Sequence, residues 1–427
     1  MIRTTLVALA FLTPLAAEVH PLTLRQAVER ALQQSPDIVL ARLNQQKAVT
    51  GIRIARDPFM PKVVMGSGLA YNTGYPLNIN GDPPSVFETK AVMSIFNLQQ
   101  RYVLAQAKED ARTAVIDETA KRDDVTYRTA SLFLDVLRLA QARDMAARQV
   151  ESFQKVSDTV AAMVDSGRAL KVDADRAALN LARARQRVEA LGLDTDYGEG
   201  SLAVALGYSG DDRVRAVDSE DKPGSLPATE AEIVEQALAN SREIKKLESQ
   251  LQAKQLLLSS YKLSRLPTVD LIAQYNIFAR YYYQNVFNPR RYQANNGQIG
   301  FELQIPALNG SANSGQAVRA ALDITGLRNQ INNTREQIKL DTRHAYQDVK
   351  RGETARDVAK MDLDVTRADL SVSLSRMEEG RANLAQIEQL RMAENEKWIA
   401  FYDAQHALEK AQITLLKEAG TIVAALR

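Results

Sequence analysis

The chain has 427 residues, a formal net charge of +2 and 25% charged residues. This balance excludes the strong net charge expected of a general nucleic-acid binder or of a protein that gathers acidic substrates. Cysteine is absent, which excludes disulfides and a lipid-bearing N-terminal cysteine.

The first 17 residues predict a cleaved export signal. Arg3 precedes the apolar run 6–12, and small residues follow up to Ala17. This run is far shorter than the ~20 residues of a membrane-spanning helix, which disfavours an N-terminal anchor. We expect the mature chain to begin near Glu18. The mean hydropathy of -0.27 implies that any membrane insertion would use strands, whose alternating pattern leaves little trace in average hydropathy.

The next segment predicts a helix followed by two strands. Residues 24–56 form an amphipathic helical pattern that ends at an X-Pro step. A weak alternation of apolar and polar residues then predicts a strand at 63–71, and 86–96 completes the pair. The intervening residues 76–84 have the composition of a turn-rich loop.

Proline placement predicts two long helical regions. No proline lies between Pro84 and Pro223 or after Pro306, and both stretches are rich in strong helix formers. Each region is interrupted once, by Gly-Arg-Ala at 167–169 and at 380–382. A continuous helix over residues 99–166 would rise about 100 Å. Apolar residues at three-, four- and seven-residue steps predict coiled-coil seams, and they include Leu181, Val188, Ile324, Ile331, Leu363 and Leu370.

The two halves of the chain resemble each other. Residues 27–32 match 233–238, and Pro61 matches Pro267, both at an offset of 206. Later matches, such as Gly167 with Gly380, have an offset of 213. The seven additional residues are expected in the loop region 283–296, opposite the shorter 77–85. Two ungapped registers in the same order predict a tandem duplication.

The second half repeats the order of elements. A helix is predicted at 230–263 and strands at 268–277 and 298–305, with apolar residues of the last strand on one face only. The predicted unit is helix, strand, strand, long helix, long helix. The expected organisation is a signal peptide at 1–17, a first repeat at 18–210, a linker at 211–228 and a second repeat at 229–427.

Four strands are too few to close a membrane barrel, since bacterial barrels have at least about eight. Residues alone therefore predict either that several copies share one barrel or that a soluble sheet packs its apolar face on another element. An open sheet edge is not tolerated in lipid.

The whole predicted mature chain resembles the TolC-type outer-membrane efflux family. The resemblance is carried by the order of elements, the duplication, the export signal and three motifs. These motifs are the strand-to-helix junction 304–310, the glycine with an aspartate six residues later at 167–173, and the closing run 201–207.

The resemblance implies a mainly α fold with a β-barrel contribution. It implies a homotrimer in the outer membrane, with a 12-stranded β-barrel on a long α-helical periplasmic barrel. The implied function is the passive exit duct of a tripartite efflux or type I secretion system. The implied partners are a periplasmic adaptor protein, an inner-membrane pump and outer-membrane lipid.

The same resemblance assigns Gly167 and Gly380 to the two periplasmic tip turns, where adaptors dock and the entrance closes. Arg168 and Arg381 flank these glycines. Rings of charge at a constriction select ions, although glycine and arginine are also ordinary at helix ends. Many relatives carry acidic residues after the second turn, whereas this chain has Gln386 and Gln389 there and keeps Asp173 after the first turn.

A cluster of tyrosines brackets the longer loop. These residues predict either an aromatic belt at the membrane surface or ordinary strand residues packed on the loop. They are Tyr281, Tyr282, Tyr283 and Tyr292.

No catalytic centre or cofactor is predicted. The three histidines, His20, His344 and His406, lack metal-ligand spacing, and no phosphate loop or dinucleotide motif is present. Two alternatives are a periplasmic adaptor and a non-transporting coiled-coil scaffold of the envelope. An adaptor has a single helical hairpin, and a scaffold does not need paired strands in both halves.

Overall fold

A computed structural model of the chain describes residues 18–68, 85–218, 229–278, 295–306, 311–378 and 384–426. The described chain is mainly helical. Its helices are α1 (Leu24–Gln34), α2 (Pro36–Arg56), α3 (Leu98–Asp165), α4 (Lys171–Ala205), α5 (Glu230–Asn240), α6 (Arg242–Lys262), α7 (Ala312–Glu378), α8 (Leu384–Glu418) and α9 (Ile422–Ala425). Its strands are β1 (Val19–Leu22), β2 (Lys62–Gly68), β3 (Ser85–Phe96), β4 (Arg213–Ala216), β5 (Thr268–Phe278) and β6 (Asn295–Gln304).

The helices form two matching series. At an offset of 206, the bounds of α1 and α2 coincide with those of α5 and α6. At an offset of 213, α4 coincides with α8 and the end of α3 coincides with the end of α7. The offsets are those of the sequence matches, so the element bounds support the inferred duplication. The repeat and linker boundaries remain predictions.

One compact unit contains the described parts of residues 1–40, 119–241 and 336–427. Its cores form where the short helices pack on the long ones. Ala31 of α1 shares a fully buried cluster with Phe133 of α3 and Leu206 after α4. A second cluster includes Ile413 and Ile422. Burying each large apolar side chain contributes roughly 1.5–3 kcal/mol, so these contacts hold the short helices against the long pair.

The other unit contains the described parts of residues 41–118 and 242–335. It carries a four-stranded antiparallel sheet in the order β2-β3-β5-β6. Beside the sheet, the Thr113 hydroxyl of α3 donates to Ser249 Oγ of α6 over 2.9 Å. Lys254 of α6 bonds Asp323 of α7 over 2.9 Å. These polar contacts join the helices that follow the strands to those that precede them.

Three sequence expectations require correction. The helices predicted at 24–56 and 230–263 are each two helices, separated by Ser35 and Ser241, whose backbones are not helical. Pro36 favours the first break, but Arg242 follows the second, so proline is not required for it. The short parallel pair β1–β4 was also missed, and β4 lies within the expected linker. Four-residue strands carry too little alternation to be recognised.

The glycine that follows α4 is required by its backbone. Gly207 has φ +82°, and a Cβ there would lie 2.6 Å from the carbonyl oxygen of Gln34. Gly420, its counterpart at an offset of 213, has φ +68° and would place a Cβ 2.8 Å from Asn240 Cβ. Both repeats therefore press the end of a long helix against the end of a short one.

Substitution of Gly207 tests this contact. We expect Gly207→Ala to lower the free energy of unfolding by about 1–3 kcal/mol, because alanine is strained at positive φ and its Cβ clashes. Gly51→Ala is the matched control, since Gly51 is helical with open space around its Cβ position. That change is expected to be neutral or to stabilise by about 0.5–1 kcal/mol. Thermal unfolding followed by circular dichroism measures both, and equal midpoints would contradict the close approach.

Candidate functional site: the Gly167 turn, the Asp135 cluster and the uncovered sheet

The turn between α3 and α4 is closed by backbone bonds. Gly167 has φ +72°, and its N–H donates to the Val164 carbonyl over 2.9 Å. The Arg168 N–H donates to the Met163 carbonyl over 2.7 Å. Such a glycine terminates a helix because a left-handed residue allows these bonds without a Cβ clash. The sequence therefore located this turn correctly.

Two predicted site residues also have local structural contacts. Arg168 Nε donates to Ser166 Oγ over 3.2 Å. Asp173 Oδ2 accepts from the Leu170 N–H over 3.2 Å, at the start of α4. A carboxylate there satisfies a free donor and complements the helix dipole. Asp173 is thus engaged as a helix cap.

Three apolar side chains near this turn are exposed. Leu170 and Val172 are both exposed, and so is Met163 on the preceding helix. Together with Arg168, these exposed apolar side chains offer a partner protein both contact area and charge.

The second turn cannot be compared directly. Gly380 and Arg381 lie outside the described residues, as do Tyr281, Tyr282, Tyr283 and Tyr292. Gln386 and Gln389 lie exposed on the first turns of α8. Between them, Glu388 is only 8% exposed, and its Oε2 accepts from Ser152 Oγ of α3 over 2.7 Å. Sequence reasoning missed Glu388, although an acidic residue between two glutamines was a visible signal.

A charged cluster joins the middle of α3 to α8. Asp135 accepts from Lys410 Nζ with both carboxylate oxygens over 3.1 Å. Asp135 Oδ1 also lies 3.3 Å from His406 Nε2, which has no aligned hydrogen-bond partner among the described residues. Arg138 bonds Asp403 over 3.2 Å in the same region. The cluster ties the first repeat's long helix to the second repeat's last long helix.

Burial shifts two pKa values in this cluster. Desolvation lowers the pKa of His406; Arg138 and Lys410 also lower it, while Asp135 and Asp403 oppose the shift. Burial raises the pKa of Glu409, a hydrogen bond from Gln405 opposes this, and Asp218 adds to it. His406 is therefore held in its neutral form.

The four-stranded sheet has one apolar and one polar face. On β6, Ile299 and Phe301 are 76% and 74% exposed. Their partners on β5 are Ala273 and Leu271, and the apolar row continues across the sheet to Met93 of β3. Side chains of residues paired across antiparallel strands lie on the same face. Within the described part of the chain, this apolar face is therefore left largely uncovered.

The opposite face carries hydrogen-bonded polar side chains. Gln298 of β6 donates to Gln274 of β5 over 2.9 Å, and Gln274 donates to Glu88 of β3 over 2.9 Å. Among the described residues, the outer edges of β2 and β6 pair with no strand. The sheet thus combines two unpaired edges with an apolar and a polar face.

The described part of the chain contains no group of three or more His, Cys, Asp or Glu side chains arranged to hold a metal ion. Its helices include none that is long and apolar enough to cross a membrane. The described residues instead provide exposed surfaces, at the Gly167 turn and on both faces of the four-stranded sheet.

Residues 27–208 match the family model described as outer membrane efflux protein. The predicted resemblance to that family is confirmed. Most of the first repeat, including the Gly167 turn and Asp135, lies within the matched span. No curated protein sequence matches the chain.

Solved structures share the fold. The CmeC outer membrane channel of Campylobacter jejuni aligns with a TM-score of 0.75 at 16% identity, covering 93% of this chain and 86% of that one. The outer membrane protein VceC of Vibrio cholerae gives 0.73 at 15%, covering 93% and 96%. The MtrE outer membrane channel of Neisseria gonorrhoeae, in its open state, gives 0.73 at 14%, covering 93% and 89%. Identities this low establish the fold alone.

Removal of the Asp135 charge tests the cluster. We expect Asp135→Asn to destabilise the α3–α8 contact by about 1 kcal/mol, because the partly exposed pair with Lys410 is lost. Asp144→Asn is the control, since Asp144 is exposed on the same helix. Thermal unfolding compares the two, and an equal effect would show that the Asp135 contacts contribute nothing.

The lowered pKa of His406 predicts acid sensitivity. The unfolded chain binds a proton at this histidine below about pH 6.5, whereas the folded chain resists protonation until lower pH. The stability that neutral His406 contributes to the folded chain is therefore lost as the pH falls below about 6.5. We expect His406→Gln to flatten the stability profile between about pH 7 and 5. Melting temperatures across this range measure the slope, and parallel profiles would refute the assignment.

Proposed function

We propose that this chain is a subunit of an outer-membrane export channel. Three copies would share one 12-stranded barrel and continue as a helical tunnel in the periplasm. The observation that carries the proposal is the four-stranded sheet, which has an apolar face, a polar face and two edges that pair with no strand among the described residues.

A water-filled barrel in a lipid bilayer accounts for each property of this sheet. An apolar face as exposed as that of Ile299 and Phe301 is costly in water and favourable against lipid tails. The polar side chains of Glu88, Gln274 and Gln298 suit a water-filled lumen. Unpaired edge groups must be satisfied inside a membrane, and pairing β6 of one copy with β2 of the next achieves this. Three copies give 12 strands, within the range of known barrels.

The helical layer also favours assembly of several copies. Contacts within the chain join neighbouring long helices. Arg185 of α4 bonds Gln154 of α3, and Asp135 of α3 bonds Lys410 of α8. Lys397 of α8 bonds Asp362 of α7. The order α4-α3-α8-α7 leaves α4 and α7 as outer helices. Exposed apolar residues lie along both, including Leu193 on α4 and Val365 on α7. Further copies would cover them and close the layer into a tunnel.

The transport role proposed here is passive. An inner-membrane pump and a periplasmic adaptor would deliver the substrate, in a tripartite efflux or type I secretion system. The turn at Gly167, with exposed Leu170 and Val172 beside Arg168, suits contact with the adaptor, and Gly380 with Arg381 would supply the second contact. Gln386 and Gln389 would leave that second turn without an acidic ring. The tyrosines 281–283 and Tyr292 would mark the membrane surface.

Fractionation and conductance test this function. We expect the exported protein in the outer-membrane fraction, and discrete, lasting conductance steps when the purified oligomer is added to planar lipid bilayers. Ile299→Glu and Phe301→Glu together should abolish insertion, because both place charge on the face assigned to lipid. Gln298→Glu on the polar face is the control and should still insert. Protein found only in the soluble periplasm, without conductance, would favour an adaptor or scaffold.

A further inference from the structure

The first described strand, β1, lies beside β4. The two strands run parallel, with Val19 paired to Arg213 at one end and Leu22 paired to Ala216 at the other. Just before the first pair, the carbonyl oxygen of Glu18 accepts from the Arg213 N–H over 3.0 Å. The strand pair therefore fixes the position of Glu18, the residue near which the exported chain is expected to begin.

A carboxylate lies at the backbone nitrogen of Glu18. The Glu18 N–H donates to Asp212 Oδ1 over 3.4 Å, although the two residues are 194 positions apart in sequence. The other oxygen, Asp212 Oδ2, accepts from the Ser209 N–H over 3.2 Å. The Asp212 N–H donates to the Ser209 carbonyl over 3.2 Å. Main-chain contacts of the turn before β4 therefore hold the Asp212 carboxylate in place.

The charged side chains around this contact are engaged elsewhere. Arg213, the basic residue next to Asp212 in sequence, pairs with Asp196 of α4. The imidazole Nε2 of His20 lies 4.0 Å from the side-chain carboxylate of Glu18. Among the described residues, no lysine, arginine or histidine forms an ion pair with Asp212. Asp212 thus faces a backbone nitrogen while lacking a basic side chain as counter-ion.

Removal of the export signal would change the charge at this nitrogen. A signal peptidase adds one water molecule across the bond that joins Ala17 to Glu18. The oxygen of the water goes to the new carboxylate of Ala17, and both hydrogens go to the Glu18 nitrogen. This nitrogen changes from a neutral amide with one N–H to an ammonium group with three, whose ordinary pKa is about 7.7–8.0. A carboxylate at this distance favours the ammonium form.

We propose that the export signal is cleaved between Ala17 and Glu18, and that the new α-ammonium group of Glu18 forms an ion pair with Asp212. A chain that began at Val19 would lack the Glu18 carbonyl oxygen that Arg213 bonds. A chain that began at Ala17 would keep a neutral amide at Asp212 and place its ammonium group up to about 3.5 Å farther along the chain.

The ion pair would anchor a strand that leads into the core. Leu22, the last residue of β1, packs against the buried cluster that includes Val214 of β4 and Phe133 of α3. Before cleavage, the Glu18 nitrogen offers Asp212 only one amide donor. Charge-assisted hydrogen bonds are about twice as strong as neutral ones. Attachment of β1 to β4 is therefore strengthened when the signal is removed, which couples processing of the chain to its folding after export.

Two measurements on the exported protein, purified from the cell envelope, test this proposal. Mass spectrometry of the intact chain identifies its first residue. Acylation of the α-amine by a small reagent, followed at several pH values between about 6 and 9.5, gives the pKa of the α-ammonium group because only the neutral amine reacts. The test variant is Asp212→Asn, whose amide oxygen can still accept from the Ser209 N–H. The control is Asp211→Asn, since Asp211 is the exposed neighbouring carboxylate.

We expect Glu18 as the first residue. The pKa of its α-ammonium group should be about half a unit higher in the native protein than in Asp212→Asn, so that acylation at pH 7 is about threefold slower in the native protein. Asp211→Asn should match the native protein.

Three results would overturn the proposal. A different first residue would refute the cleavage site. Equal pKa values in the native protein and Asp212→Asn, or an equal change in Asp211→Asn, would refute the ion pair. If Asp212→Asn does not accumulate, the native protein unfolded in urea provides the reference. A pKa of the α-ammonium group that does not fall on unfolding would then refute the ion pair.

Discussion

The two outer edges of the four-stranded sheet pair with no strand in the part of the chain that the structure describes, and they determine how the molecule can be placed in a membrane. Each edge strand carries backbone donors and acceptors that need partners wherever water is excluded. The apolar row that includes Ile299 and Phe301 makes water an unfavourable neighbour for one face. In both halves of the chain the next described element after the strand pair is a long helix, which begins at Leu98 in the first half and at Ala312 in the second.

The sequence predicted the large elements because their signals extend over many residues. Proline placement located both long helical regions. Alternation located three strands of the sheet within a few residues, and the fourth was predicted as the partner of the first. The turn at Gly167 was predicted because a left-handed C-terminal residue favours glycine. The breaks at Ser35 and Ser241 were missed because apolar periodicity continues across them. The pair β1–β4 was missed because its partners are distant in sequence and each strand has four residues.

The candidate site was predictable only in part. Arg168 and Asp173 lie at the turn after α3, and their gate or adaptor roles remain predictions. Their bonds to Ser166 Oγ and to the Leu170 N–H depend on side-chain geometry. The Asp135 cluster joins α3 to α8. Asp135 and Lys410 are 275 residues apart in sequence, so no local pattern reveals their contact. The duplication places Asp348 of α7 at the position equivalent to Asp135 of α3.

Counting the subunits of the outer-membrane species tests whether three copies share one barrel. The protein would be extracted from outer membranes in mild detergent and weighed by native mass spectrometry before and after heating. A shared barrel predicts one species of three chains that separates into single chains only when heated. Single chains alone in the unheated detergent extract would contradict the shared barrel and with it the proposed channel.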